Sequence, residues 1–479
     1  MRCAVVACSG NIARAVEAAG GWRAFSVLTA AVALICLFLP FQAAAEGYPR
    51  LQELVDAAEP NAVLLPPPGT YAGPVRLEKP ITIDGQGKVT IDGGGKGSVV
   101  YIHTDGVSLQ GLRLTNSGES YNDIDSGIQV RGSFNVMRDL VIDNCLFGID
   151  LGQAKNNIIK RNRISSKPFE LGVRGDSIRL WYSFNNKITD NVIRDSRDMV
   201  IWYSRDNLIA RNDSRGGRYS LHFMYSQYNE VVDNHYEDNS VGIFLMYSDG
   251  VVVKDNYIAR ASGPTGIGIG FKETSDVEII GNTILNCATG IYLDVSPYQP
   301  DTTNRIFNNV IAFGGVAISF LNDWQGNIFE GNVLEGNITQ VSVSGGKTAR
   351  RNQWEGNYWD DYEGFDLDKD NIGDTPYELY AYADRIWMDV PAARFFKGSP
   401  VLEVLDFLER LAPFTDPDLT LRDENPLTEA EAALSALYEH TSVRPTPEAG
   451  LKPESENGAQ EVDGSGYDAL KALRESLGR

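Results

Sequence analysis

Apolar and polar residues alternate in short runs along most of this chain, and the runs recur. Aligning SIRLWYSFNNKITDNVI, DMVIWYSRDNLIARNDS, YSLHFMYSQYNEVVDNH and VGIFLMYSDGVVVKDNY puts Tyr182, Tyr203, Tyr225 and Tyr247 in one column, at steps of 21, 22 and 22 residues. Asn191, Asn212, Asn234 and Asn256 keep the same steps, and weaker copies continue through Asn162 before them and Asn282, Asn309 and Asn332 after them. Self-similarity at such a period marks a solenoid. Within a unit the apolar positions have period two, are often β-branched, and are bounded by Gly, Asn, Asp and Ser, which predicts short strands. Long stretches of helical periodicity are lacking, and leucines are too sparse for a leucine-rich repeat. The pattern predicts an all-β chain, a right-handed parallel β-helix over 62–357 with about thirteen coils at ~4.8 Å spacing. The recurring asparagines are expected to stack, each amide bonding the coils above and below.

The ends of the array differ in pattern. Tyr48 to Ala58 has helical spacing, with Leu51, Leu54 and Val55 on one face, and a helix within 46–61 would cover the open first coil. The step from Asn162 to Asn191 is 29, so a loop around Lys167 to Asp176 bulges from that coil, and SPYQPDTTN adds a second, shorter excess. Loops inserted into a solenoid commonly mark its working face. After the coils, 358–380 is acidic and turn-rich. The stretch 381–425 carries a predicted helix with Ser399 as N-cap, Pro400 in its first turn, and Val401, Leu402, Leu405, Leu408 and Leu411 on an apolar stripe. A helical segment there reads as a cap on the last coil. The tail 426–479 is acidic and partly too polar to fold.

Charge and cysteines narrow the setting. Arg2, Arg14 and Arg23 precede or open onto an apolar run from Ala24 to Leu39, and Ala43-Ala44-Ala45 follows, as in a Sec signal peptide (1–45) cut after Ala45, which implies a periplasmic protein. Cys3, Cys8 and Cys36 would leave with it. Cys145 and Cys287 would stand about six coils apart, too far for a disulfide. With 43 Lys plus Arg against 64 Asp plus Glu, the net charge is −21, which excludes a phosphate-tracking nucleic-acid surface. Four His residues are too few for a multi-His zinc site.

Strand parity supplies the candidate chemistry. Leu180, Ile201, Phe223 and Leu245 are predicted to point inward, so Trp181, Trp202, Met224 and Met246 face outward, as do Arg179, Val200, His222 and Phe244. Large apolar residues in an outer stripe suggest a partner or ligand surface, with Trp181 and Trp202 as partner-binding residues. Thioethers and an imidazole suit a soft ion, so His222, Met224 and Met246 are candidate ligands for Cu(I). The alternative is that these Trp and Met residues pack under the inserted loop. In DLDKDNIGD, the spacing of Asp366, Asp368, Asp370 and Asp374 reads as a structural calcium loop or as a plain acidic turn; Gly and Glu are misplaced for an EF-hand. Candidate carboxylate pairs for glycan chemistry are Glu119, Asp123 and Asp125, or Asp176 with Asp195 and Asp198. They support an alternative reading as an exported polysaccharide lyase or hydrolase, or a carbohydrate-binding β-helix, although turn capping explains many such Asp residues.

Taken in order, DSIRLWYS, DMVIWYS, GRYSLHFMYS, VGIFLMYS, GIGIGFKE, YLDVSP, GNYWDDYEGFDLDKDNIGDTPYE and DRIWMDVPAARFFKGSPVLEVLDFLERLAPF resemble the NosD family, periplasmic maturation proteins of nitrous oxide reductase. The resemblance runs from about Leu51 to Asn425. It implies a β-helix that is not itself an enzyme and works with a membrane ABC transporter of permease and ATPase. It also implies assembly of the reductase's copper–sulfide centre with copper received from a chaperone lipoprotein, a transient copper role for His222, Met224 and Met246, and transporter docking through Phe395, Phe396 and the helix bearing Leu402 and Leu405.

Overall fold

The computed structural model describes residues 47–263, 265–345, 348–381 and 418–430, with Ser399, Pro400, Val404, Phe407 and Leu408 between them. The proposed signal segment 1–45, Phe395, Phe396, Leu402, Leu405 and the tail beyond 430 lie outside the described residues. A helix, Leu51–Ala57, opens the described chain and buries Leu51 and Val55, with Leu54 packed beside them. Gln52 pins it to the first coils: its side chain accepts the Arg76 N–H at 2.7 Å and donates to the Arg76 carbonyl at 3.1 Å.

From Val63 onward the chain winds as a parallel β-solenoid of about 13 turns, with strands in one sheet of 24 and another of 12. One coil shows why the sequence winds. Asp198–Trp202 lies in the smaller sheet; Leu208–Ala210 and Asp213–Arg215 lie in the larger. The corners between them fall at Tyr203, Asp206 and Arg211, with φ of 50°, 58° and 52°. A left-handed conformation costs a residue with a side chain about 1–2 kcal/mol. Buried asparagines beside the corners offset that cost. Asn212 Nδ2 donates to the Ile188 carbonyl at 2.9 Å and to Asn234 Oδ1 at 3.0 Å, while its Oδ1 accepts the Asn191 N–H and Nδ2 at 3.1 and 2.9 Å.

The same pattern joins Asn162, Asn191, Asn212, Asn234, Asn256, Asn282, Asn309, Asn332 and Asn357. It ends on Asp423, a fully buried carboxylate that accepts Asn357 Nδ2 at 2.9 Å, the Asn357 and Gly356 N–H groups at 3.0 Å, and Trp359 Nε1 at 3.2 Å. A second ladder runs through Asn157, Asn186, Asn207 and Asn229 at another corner.

The last coil is closed by a strand pair, Tyr377–Ala381 antiparallel to Asp418–Asp423. Tyr377 stacks on Trp359 at 4.4 Å, and Leu421 joins the core, so two apolar anchors seat this pair on the coil end. Of the predicted helix, Pro400, Val404, Phe407 and Leu408 are helical, and the last three are exposed. Cys145 and Cys287 are free and buried, and burial pushes both thiols up to about 12. Among the described residues, no helix is long and apolar enough to cross a membrane.

Candidate functional site

The smaller sheet positions the site. Leu180, Ile201, Phe223 and Leu245 point into the core at 0% exposure. One residue further along each strand, Trp181, Trp202, Met224 and Met246 are successive backbone partners on the outer side. That row begins at Gly152 and continues to Lys272 and Asp294. The parallel outer row holds Arg179, Val200, His222 and Phe244.

This outer surface is less open than the sequence suggests. Val200 is fully buried and His222 only 7% exposed. Neighbouring coils supply the cover. The Arg179 guanidinium lies over the rings of Trp181 and Trp202, at 5.2 and 5.8 Å. Tyr219 stacks on His222 at 4.8 Å, and Trp202 meets His222 edge-to-face at 6.0 Å. Phe244 fills the space outside Gly270, where an added Cβ would collide with its ring. The expected exposed stripe is therefore a half-buried aromatic and thioether surface with an imidazole sunk in it.

His222 Nε2 lies 3.1 Å from Met246 Sδ, bridging one coil to the next. Its Nδ1 is buried and has no hydrogen-bond partner among the described residues. Burial lowers the His222 pKa to about 4; Asp198 opposes this shift, while Arg218 and Arg197 add to it. At neutral pH the ring is therefore uncharged and carries one lone pair on nitrogen. Met224 is the backbone partner of Met246 and lies on the same face as His222 in its own strand. The imidazole nitrogen and the Met246 sulfur meet, and the Met224 thioether stands on the same face; donors of this kind are soft, neutral and suited to Cu(I). Strand parity placed these three residues on one outer face, where His222 Nε2 and Met246 Sδ meet.

Sequence reasoning missed Tyr219. It stands three positions before His222, an odd offset, so a regular strand would put the two on opposite faces. A register shift between Asp198 and Val200 sets Tyr219 opposite Asp198 and His222 opposite Val200, and the two rings meet. The four tyrosines that revealed the repeat also form a structure of their own. Tyr182, Tyr203, Tyr225 and Tyr247 stack at 4.9, 5.2 and 4.8 Å along the corner next to the Trp and Met row.

An ionic group borders the site. Asp150, fully buried, holds Arg131 at 2.7 Å and Arg179 at 2.8 Å. Asp176 holds Arg197 at 2.8 Å, and Asp198 pairs with Arg218. Burial raises Asp176 to about 6 against the opposing pull of Arg197. Of the other carboxylates considered for glycan chemistry, Asp195 lies 3.8 Å from Arg174 and Glu119 lies 3.5 Å from Lys167. Asp123 and Asp125 accept the Ser120 hydroxyl and N–H at 2.8 and 2.9 Å. The inserted loop contains a short turn, Leu171–Val173, anchored by the Tyr121 hydroxyl to the Val173 carbonyl and by Arg174 to the Gly216 carbonyl.

In the acidic loop, carboxylate oxygens of Asp366, Asp368 and Asp370 lie within 4.8 Å of one another. Asp374 is outside this group, because its carboxylate turns back to accept the Leu367 N–H at 2.7 Å. Asp366 accepts the N–H groups of Lys369 and Asn371 at 2.6 and 2.9 Å, so it also shapes the turn.

A model of the NosD family, described as periplasmic copper-binding protein, matches residues 168–364, the stretch that contains the His222 site. A Pseudomonas aeruginosa protein described as a probable ABC transporter binding protein NosD is 28% identical over 406 residues, covering 76% of this chain and 88% of that one. A Stutzerimonas stutzeri protein with the same description is 26% identical over 460 residues, covering 87% of this chain and 98% of that one. Among solved structures, the A-module of the Azotobacter vinelandii mannuronan C-5 epimerase AlgE6 is similar at 15% identity and a TM-score of 0.47, over 61% of this chain and 89% of that one. A Yersinia enterocolitica family 28 exopolygalacturonase is similar at 11% identity and a TM-score of 0.42, over 61% of this chain and 74% of that one. Likeness at that level carries no argument about chemistry.

Proposed function

Because this chain is NosD-like through most of its length, we propose that it is a periplasmic accessory protein for assembly of the copper–sulfide centre of nitrous oxide reductase. It holds Cu(I) transiently as cargo at His222, Met224 and Met246 and passes it on. It has no turnover of its own. Its partners are an ABC transporter, a copper chaperone lipoprotein that delivers the ion, and the reductase that receives it. The relatives' description as transporter binding proteins supports the first of these.

One observation supports the copper assignment above the others: a buried, uncharged imidazole whose Nε2 lies 3.1 Å from a thioether. Few soft ligands and a half-open surface favour release as well as capture, since a closed cage would retain the ion. The acidic loop at 366–374 has no part in this route.

The direct test is Cu(I) titration under a competing chelator, comparing wild type with a Met224→Leu, Met246→Leu double variant. Leu and Met have similar volumes, so the fold is retained. The double variant is expected to bind about 100-fold more weakly, a difference of roughly 2.7 kcal/mol. Equal affinities would remove the copper assignment from these residues.

A further inference from the structure

The outward side of the larger sheet changes character along the solenoid. On the strands Val192–Arg194, Asp213–Arg215 and His235–Glu237, outer positions hold Arg194, Asp213, Arg215 and Glu237, joined in ion pairs at the surface. The next coils pair onto these in unbroken register and place Ala259, Leu285, Val310, Ala312 and Val333 at the same outer positions. Their strand neighbours Ile258, Ile284, Ile311 and Leu334 fill the core, so these five side chains point away from it. An apolar side chain turned outward meets water unless something lies over it, yet all five are at most 5% exposed. Among the described residues, the one that joins them from beyond the coils is Ala430, the last before the tail.

The chain reaches this face at a fixed point. Leu427 donates its N–H to the Asn357 carbonyl at 3.0 Å and bridges to Tyr358 of the last coil, and Thr428 Oγ1 donates to Asn371 Oδ1 at 3.0 Å. The sequence that follows predicts an amphipathic helix. Thr428 and Glu431 have the spacing of a capping box, Ala430, Ala433, Leu434, Leu437 and Tyr438 fall on one stripe, and Pro445 ends the run. The stripe begins at Ala430, the residue already seated on the face. Four strand-to-strand steps separate the coil of Tyr358 from that of Ala259. At ~4.8 Å each they span ~19 Å, which a helix rising ~1.5 Å per residue covers in about 13 residues. The stretch from Thr428 to His440 has that length. We propose that the outward face at Ala259, Leu285, Val310, Ala312 and Val333 is the docking site of this chain's own segment 431–440, laid along the solenoid axis with Ala433, Leu434 and Leu437 against the sheet. The tail thereby seals an apolar face in cis and keeps it from other chains.

The test places a thiol at the centre of the face, Ala312→Cys, in the full chain and follows its reaction with a maleimide, read on its own peptide by mass spectrometry. The same thiol is followed in a chain ending at Ala430 and in a full chain that also carries Leu434→Asp and Leu437→Asp. The thiol is expected to react slowly in the full chain at every protein concentration. In both altered chains it should react about 100-fold faster, because the reagent enters only where the segment is away from the sheet. Fast reaction in the full chain would leave the face open for a foreign partner and overturn the proposal. Protection lost on dilution would assign the face to a second copy and overturn it as well. Slow reaction in the shortened chain would show that another element covers the face. If the shortened chain fails to fold, the full chain with Leu434→Asp and Leu437→Asp decides: unchanged protection there overturns the inference.

Discussion

Two columns of side chains run along this solenoid, and they obey different rules. Inside, from Asn162 to Asn357, the same residue recurs coil after coil and makes the same amide bonds each time. Outside, on equally regular strands, the row reads Gly152, Trp181, Trp202, Met224, Met246, Lys272 and Asp294. Apart from the bulge before Val200, residues of both columns pair coil to coil without a break, so winding cannot account for the outer variation. Uniform columns are dictated by closing the corner; the column whose residues change is the one the fold leaves free, and the soft donors are found there.

Breaking the inner column should have the largest effect on stability. Asn234→Ala removes a buried amide that serves Asn212 and Asn256, orphaning donors and acceptors on both sides. A loss of about 4 kcal/mol is expected from the urea midpoint. A loss below about 1 kcal/mol would erase the distinction between the columns.

Next comes the outer imidazole. His222 has a folded pKa of about 4 against an ordinary value of 6.5, so the unfolded chain binds its proton more readily. The stabilisation from keeping it neutral is fully present above pH 6.5 and is lost as pH falls towards 4, amounting to at most ~3 kcal/mol. His222→Gln should therefore flatten this part of the pH dependence. The comparison to make is the wild-type minus variant difference in urea midpoint at pH 7 and at pH 4, and an equal difference at both would contradict the burial argument.

The smallest effect is expected at the tyrosine stack. Tyr225→Asn keeps a residue that tolerates φ of 51° and removes one stacked ring, for a cost of about 1 kcal/mol by thermal melt. A much larger cost would place the tyrosines with the structural inner columns.

Much of this was legible in the chain. The Tyr and Asn columns gave period and register, and parity alone put Met224, Met246 and His222 on one outer face. The parts that were not legible depend on contacts between coils. Tyr219 reaches His222 only because a bulge breaks the alternation that parity assumes. The burial of Val200 and His222 comes from residues around them, among them Arg179 and Tyr219, and no single strand displays it. The closing strands Tyr377–Ala381 and Asp418–Asp423 pair across a long intervening stretch, and neither carries a turn signal pointing to the other.

The residue that ends the inner column has a consequence for the molecule as a whole. Along the column every amide hands a proton donor forward to the next oxygen, so the line has a direction, like a queue in which each member faces the same way. An Asn in the final place would turn an unspent N–H₂ towards whatever lay beyond, an invitation for a foreign chain to continue the winding. Asp423 can only receive. The queue stops on a group with nothing to pass on, and this end of the column gives a second copy no donor from which to prolong it into a fibre.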